Sequence, residues 1–210
     1  MARKGSLIVI SGFAGVGKGT LVKKLLSDYD CYALSISATT RAPRPGEENG
    51  REYFFVTKEE FEDKIAHEGL IEYAQYVGNY YGTPKAYVEQ QLNLGKNVIL
   101  EIEIQGALQI KKKFPESVLI YILPPSAGEL EKRLRGRGTE TEDKIQARLS
   151  RAAKESQGLE EYDYIIVNDD IEAAKERLHG VIKASACAPI RNQEFIADIR
   201  EQVSGFAKGE

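Results

Sequence analysis

Residues Leu7-Ile8-Val9-Ile10 form a continuous apolar run that passes directly into Ser11-Gly12-Phe13-Ala14-Gly15-Val16-Gly17-Lys18-Gly19-Thr20. Such a run fits a strand buried on both faces. Beyond Thr20, Leu21, Val22, Leu25 and Leu26 recur at helical spacing and end near Asp28. A strand that feeds a glycine loop and then a helix must have both faces covered, which commits the chain to an α/β architecture. Three later runs, Val98-Ile99-Leu100, Val118-Leu119-Ile120-Tyr121-Ile122 and Tyr164-Ile165-Ile166-Val167, each precede a helix-compatible stretch. The alternation predicts a core of parallel strands flanked by helices.

The length of 210 residues suits one domain carrying insertions and is too short for two large lobes. A hydrophobic fraction of 42% supplies a packed core and excludes intrinsic disorder. With 29 Lys and Arg against 32 Asp and Glu, the net charge of -3 predicts neither a nucleic-acid nor a membrane partner, so any polyanion must be met by a local cluster. No apolar run approaches the ~18 residues needed to span a bilayer, and the start MARKGSLIVISG does not read as a secretory signal. A cytoplasmic location is therefore expected. Cys31 and Cys187 lie far apart with no histidine at ligand spacing, so they read as small core or surface thiols.

Gly12 to Gly17 followed by Lys18 satisfies G-x-x-x-x-G-K in the strand-to-helix context the motif requires. Glycines let successive N–H groups converge on phosphate oxygens, the helix N-terminus adds partial positive charge, and an ammonium reaches the outer phosphates. Gly12, Phe13, Ala14, Gly15, Val16, Gly17, Lys18, Gly19 and Thr20 are thus the candidate donor-nucleotide loop. Gly19 replaces the usual Ser or Thr, and the hydroxyl arrives one position late at Thr20. Magnesium is then expected to be held mainly by phosphates and waters, with Glu101 as a candidate acid at the end of a buried strand. A helix-facing carboxylate is the alternative for Glu101.

From Ser37 to Leu94 the chain changes character, with Pro43, Pro45, an Asn49-Gly50 hairpin signal and six tyrosines, Tyr53, Tyr73, Tyr76, Tyr80, Tyr81 and Tyr87. An inserted, small mixed β-rich module is predicted. Arg41 and Arg44 sit three apart among helix breakers, and paired guanidinium groups suit a phosphate. Alone, they fit a solvated basic loop or a polyproline-type ligand equally well. Between Pro124-Pro125 and about Glu155 a highly charged helical stretch, interrupted by Gly136-Arg137-Gly138, predicts a helical lid. Its bland alternative is a solvated helix laced with salt bridges. Phe195, Ile196, Ile199 and Val203 predict a final packed helix. The predicted layout is a core of 1–36, 95–125 and 156–210, an inserted module at 37–94 and a lid at 126–155.

The stretch Ser37-x-Thr39-Thr40-Arg41-x-Pro43-Arg44-x-Gly46-Glu47-x-Asn49-Gly50-x-x-Tyr53 closely resembles the GMP-binding region of guanylate kinases. Ile71-Glu72-Tyr73-Ala74, Gly78 to Thr83, Glu101 to Gly106, Arg133 to Thr141, Arg148-Leu149 and Val167-Asn168-Asp169 follow in family order. The resemblance covers roughly Leu7 to His179. It implies a P-loop fold in which Arg41, Arg44, Tyr53 and Tyr81 bind the GMP phosphate while Ser37, Glu72, Thr83 and Glu103 surround guanine. Many members have Asp at the position of Glu103. It further implies that Arg133, Arg137 and Arg148 close over the triphosphate and that Asn168 contacts adenine, for which capping the following helix is the alternative.

Guanine offers N1–H and an N2 amino group as donors and O6 as acceptor, so Glu72 can accept twice while a hydroxyl donates. A site built this way rejects adenine by on the order of 10⁴-fold at best. The implied reaction is in-line transfer of the ATP γ-phosphoryl to GMP, and to dGMP, with Mg²⁺ and with Lys18, Arg41, Arg137 and Arg148 as the catalytic cations. ATP and GMP are the implied small-molecule partners. His67 and His179 lie outside the motifs and receive no catalytic role. Two other readings remain: a non-catalytic phosphopeptide-binding module of the same shape, and a kinase for a different nucleoside monophosphate.

Overall fold

The computed structural model describes residues 4–76, 78–136 and 141–206. The first apolar run is β1 (Leu7–Gly12), the central strand of a five-stranded sheet. It pairs with β7 (Asn97–Glu101) on one side and β8 (Val118–Leu123) on the other, and β2 (Tyr32–Leu34) and β9 (Tyr164–Val167) form the edges. All four pairings are parallel, with Ile8 opposite both Ile99 and Val118.

Alternate residues of β1 serve opposite faces, as a two-residue period requires. Ile8 and Ile10 pack with Leu21 and Leu25 of α1 (Lys18–Asp28) and with Leu178 and Ile182 of α7 (Ile171–Ser185). Leu7 and Val9 pack with Val88 of α3 (Lys85–Asn93) and Ile110 of α4 (Ile104–Lys113). Two covered faces explain why the strands read as unbroken apolar runs rather than alternating ones.

The inserted module carries a second, mixed sheet in the order β4 (Phe54–Phe55), β3 (Ala38–Thr39), β6 (Asn79–Pro84), β5 (Leu70–Tyr76). It also holds α2 (Lys58–Ala66), which the β-rich reading passed over. That helix is set by a capping box: the Thr57 hydroxyl accepts from the Glu60 N–H, and the Glu60 carboxylate accepts from the Thr57 N–H. Its Phe61 fills a small core with Ala38 and Leu70. The Asn49-Gly50 hairpin expectation is corrected, because β3 and β4 run parallel and cannot be joined by a tight hairpin. Gly50 (φ 83°) instead serves a long connection in which the Asn49 side chain accepts from the Phe55 N–H. The hairpin of this module joins β5 to β6 at Gly78 (φ 78°).

The charged stretch forms α5 (Ala127–Gly136) and α6 (Glu142–Glu155), which pack through Leu130, Leu134, Ile145 and Ala152. The final helix, α8 (Gln193–Ser204), is present but buries none of its residues. The expectation of a packed helix is therefore corrected: Phe195, Ile199 and Val203 are exposed, and the segment is tethered before the helix by Arg191, which donates to Ser6 and to the Glu116 carbonyl. Among the described residues no helix is long and apolar enough to cross a membrane.

Candidate active site

Gly12 to Gly17 connects β1 to α1 with Gly15 at φ 89° and Gly17 at φ 90°, a backbone that side-chain-bearing residues rarely adopt. No side chain caps α1 and no acidic residue stands in its first turn, so its leading N–H groups face whatever anion enters. The contrast is with α2 and with α7, where the Asp170 side chain accepts from the Ala173 N–H. That contact also corrects the helix-cap alternative for Asn168, since Asp170 holds that position.

The loop is braced from outside. Phe13 packs edge-on to Tyr121 at 5.2 Å and joins the α5–α6 cluster. Leu134 of α5 lies so close to Gly15 that an added Cβ would stand 2.7 Å from it. The Val16 carbonyl accepts from the Asn168 amide at 2.8 Å and from Arg133 at 3.3 Å, and Arg133 is itself held by Glu129 at 2.9 Å. The first half of the charged stretch is thus seated on the loop.

Two clefts flank the start of α1. One, of about 310 Å³, is lined by Gly17, Thr20, Lys24, Arg133, Asn168, Asp169 and Ile171. The other, of about 260 Å³, is lined by Lys18 and Glu101 of the core, by Leu34 and Ser35 at the end of β2, and by Ser37, Glu52 and Tyr53. Glu101 faces Gly19, with a carboxylate oxygen 3.9 Å from where a Cβ there would lie. Burial raises its carboxyl above the usual range, and Lys18 and Lys23 pull it back.

In the second sheet, Glu72 is buried and its carboxylate accepts from the Thr83 hydroxyl at 2.7 Å. Burial raises this carboxyl too, against the Thr83 hydrogen bond and the nearby Lys113. Gly106 leaves room beside it, since a Cβ there would sit 3.1 Å from Glu72 Oε2. Arg41 is held by Glu47, with both carboxylate oxygens 2.9 Å from one guanidinium nitrogen, and its guanidinium lies 5.3 Å from the centre of the Tyr53 ring. Tyr53 and Tyr81 meet edge to face at 6.0 Å. Glu47 also accepts from the Arg44 backbone N–H at 2.8 Å, which with Arg41 holds its carboxyl below the usual range.

The remaining candidates are spread more widely. Glu103 is exposed and accepts from Arg151 of α6 at 2.7 Å, which engages its carboxylate. Arg148 is half-buried on α6. Arg137 lies outside the described residues. Glu47, Arg151, Ser35 and Glu52 were not singled out from the sequence. For Glu47 a signal existed in its place three residues after Arg44, whereas Arg151 and Glu103 are 48 residues apart and nothing local joins them.

A glycine loop at the carboxyl end of a parallel strand, feeding a helix with no side-chain cap and bordered by two clefts, defines a P-loop nucleotide-binding protein. The family model described as guanylate kinase matches residues 4–185. Guanylate kinase of Bacillus anthracis is 50% identical over 201 residues, covering 95% of this chain and 98% of that one. That of Clostridium acetobutylicum is 48% identical over 201 residues, covering 96% of each. The crystal structure of guanylate kinase from Anaplasma phagocytophilum superposes with a TM-score of 0.72 at 35% identity, covering 90% of each chain. The chain belongs to the guanylate kinase family.

Proposed function

We propose that the chain transfers the γ-phosphoryl group of ATP to a phosphate oxygen of GMP, giving ADP and GDP, and that it accepts dGMP as well. The observation that carries this reading is the cleft that Lys18 of the glycine loop shares with Ser37 and Tyr53, the residues just before β3 and β4 of the second sheet. The donor phosphates lie on the loop from Gly12 to Thr20, with the nucleoside toward Arg133 and Asn168. The acceptor phosphate lies against Arg41, Arg44, Tyr53 and Tyr81, and guanine against Ser37, Glu72 and Thr83. Glu103 joins the base only after leaving Arg151.

A GMP phosphate is already largely ionised at neutral pH, so the transfer needs no side-chain nucleophile and no general base. The protein must hold two polyanions in line and stabilise the charge spread over the transferring group. Lys18 does this from the loop, Arg41 from beside Tyr53, and Arg137 and Arg148 from the lid, while closure excludes water. The donor set fits a magnesium ion carried by the nucleotide, with Glu101 beside Gly19 and Lys18 to orient its waters; when bound, the ion neutralises phosphate charge. The working units are the core, an acceptor module at 37–94 and a lid at 126–155. ATP and GMP place the reaction in cytoplasmic purine metabolism.

A coupled ADP-release assay with ATP, magnesium and GMP, dGMP, AMP, CMP or UMP, run beside Lys18→Met, tests the reading. Turnover confined to GMP and dGMP, and at least ~10²-fold lower in the folded variant, is expected. Folded protein without turnover on any acceptor would overturn it.

A further inference from the structure

We infer that Asn168 is a positioning residue for the phosphate loop: through Val16 it aims the Gly17 backbone N–H at the donor's phosphate, whatever base the donor carries. The inference rests on the reading of Gly12 to Thr20 as the donor's phosphate site. Asn168 follows the last residue of the edge strand β9, and its backbone N–H continues the ladder onto the Leu123 carbonyl at 2.8 Å. Its side chain is buried at 6% exposure and reaches across to donate to the Val16 carbonyl at 2.8 Å.

Val16 stands just before the helix. The first turn of α1 closes on the next residue, the Leu21 N–H donating to the Gly17 carbonyl at 3.0 Å. The Val16–Gly17 peptide is planar and trans, so its C=O and N–H point in opposite directions. Anchoring the Val16 oxygen on Asn168 therefore turns the Gly17 N–H away from Asn168. The Val16 side chain is fully buried among Ile8, Ile10 and Ile122, which anchors one end of that peptide. At the other end Gly17 is at φ 90°, and a Cβ there would stand 2.7 Å from the Asn168 amide nitrogen. Asn168 thus occupies the space that the missing side chain of Gly17 leaves. Arg133 donates to the same oxygen at 3.3 Å, a longer contact that adds to the restraint.

A residue that reads adenine and a residue that sets the loop differ in what they do to donors lacking adenine. Calorimetric titrations of ATP, GTP and inorganic tripolyphosphate into wild type, Asn168→Ala and the similarly branched Asn168→Leu separate the two. Loss of the amide leaves a buried carbonyl without its main donor, and about tenfold weaker binding of all three is expected, with the ATP-to-GTP ratio unchanged. The Gly17 amide resonance, shifted by tripolyphosphate in the wild type, should shift much less in both variants at saturating tripolyphosphate. Loss of ATP affinity alone, with tripolyphosphate bound as in the wild type, would overturn the inference in favour of a base contact, and unchanged binding of all three would remove it. Leu at this position keeps the packing against Gly17, so a poorly folded Ala variant leaves the test intact. Protein that bound tripolyphosphate at Gly17 yet turned over no GMP would sink the proposed activity and leave this inference standing.

Discussion

Glu72 is a carboxylate buried at the floor of the second sheet, with the Thr83 hydroxyl donating to it. Burial raises its pKa above the ordinary value, so the folded chain holds its proton more tightly than the unfolded chain does. The associated stability is fully present below the unfolded pKa and is lost as pH rises through the folded one. The wild type therefore loses stability as pH rises, whereas a Gln at this position does not titrate. Glu72→Gln should melt no lower than wild type at pH 7, with a gap that closes as pH falls, while KM for GMP rises by about 10²-fold or more and KM for ATP stays put. Melting curves across pH, read beside steady-state kinetics, check both halves. Arg41 makes a second case. Its guanidinium is oriented by Glu47, so Glu47→Gln should raise KM for GMP several-fold with little change in KM for ATP. These residues differ in how far the sequence revealed them. Lys18 and the loop glycines were legible because the chemistry of a phosphate loop is local. The contact that seats Asn168 on Val16 spans 152 residues, and only the folded sheet creates it.

At the scale of elements, legibility follows the cause of each element. The core strands were readable because burial on both faces leaves unbroken apolar runs such as Val118 to Ile122. The strands of the second sheet were not, since β3 and β4 have two residues each and take their form from their neighbours. Helix α2 carried a legible Thr57 and Glu60 start that the surrounding tyrosines and prolines overshadowed. The stretch expected to form a lid read more readily, on its own residues, as a solvated helix, and its attachment is visible only in three dimensions. Near its C-terminal end Arg151 donates to Glu155 at 2.6 Å and to Glu103 at 2.7 Å, which ties α6 to the start of α4. Glu103 is exposed whereas Glu155 is only 15% exposed, so Arg151→Ala should lower stability by about 1 kcal/mol. The last turn of α6 should nevertheless exchange its amide hydrogens faster, because that pair is its link to α4. Exchange followed by mass spectrometry on folded protein checks this, and an unchanged rate would show that the packing of Ile145 and Ala152 alone holds the helix.

Over the whole molecule the two clefts both border the start of α1, one at Gly17 and Thr20 and the other at Lys18, so on the proposed reading donor and acceptor meet at Lys18. Their phosphates repel, and only groups of positive charge brought close can offset that repulsion. Part of the required set is already seated: Arg133 rests on the loop through Val16, and Arg41 is held by Glu47. Arg148 rides on α6, and Glu103 is engaged with Arg151 on the same helix. On the proposed roles Glu103 must leave Arg151 to reach the base, which a movement of α6 relative to the start of α4 would permit. Helix α8 buries nothing and takes no part in either cleft, so a chain ending before residue 193 should keep its turnover within about twofold, as remote surface elements do. Closure itself requires both ligands, because neither polyanion alone recruits both sets of cations. Small-angle scattering should therefore show a smaller radius of gyration only with GMP and a non-hydrolysable ATP analogue together, and less change with either alone. A radius unchanged by the pair would mean that the cations are preassembled, and the Arg151–Glu103 contact would then persist through turnover.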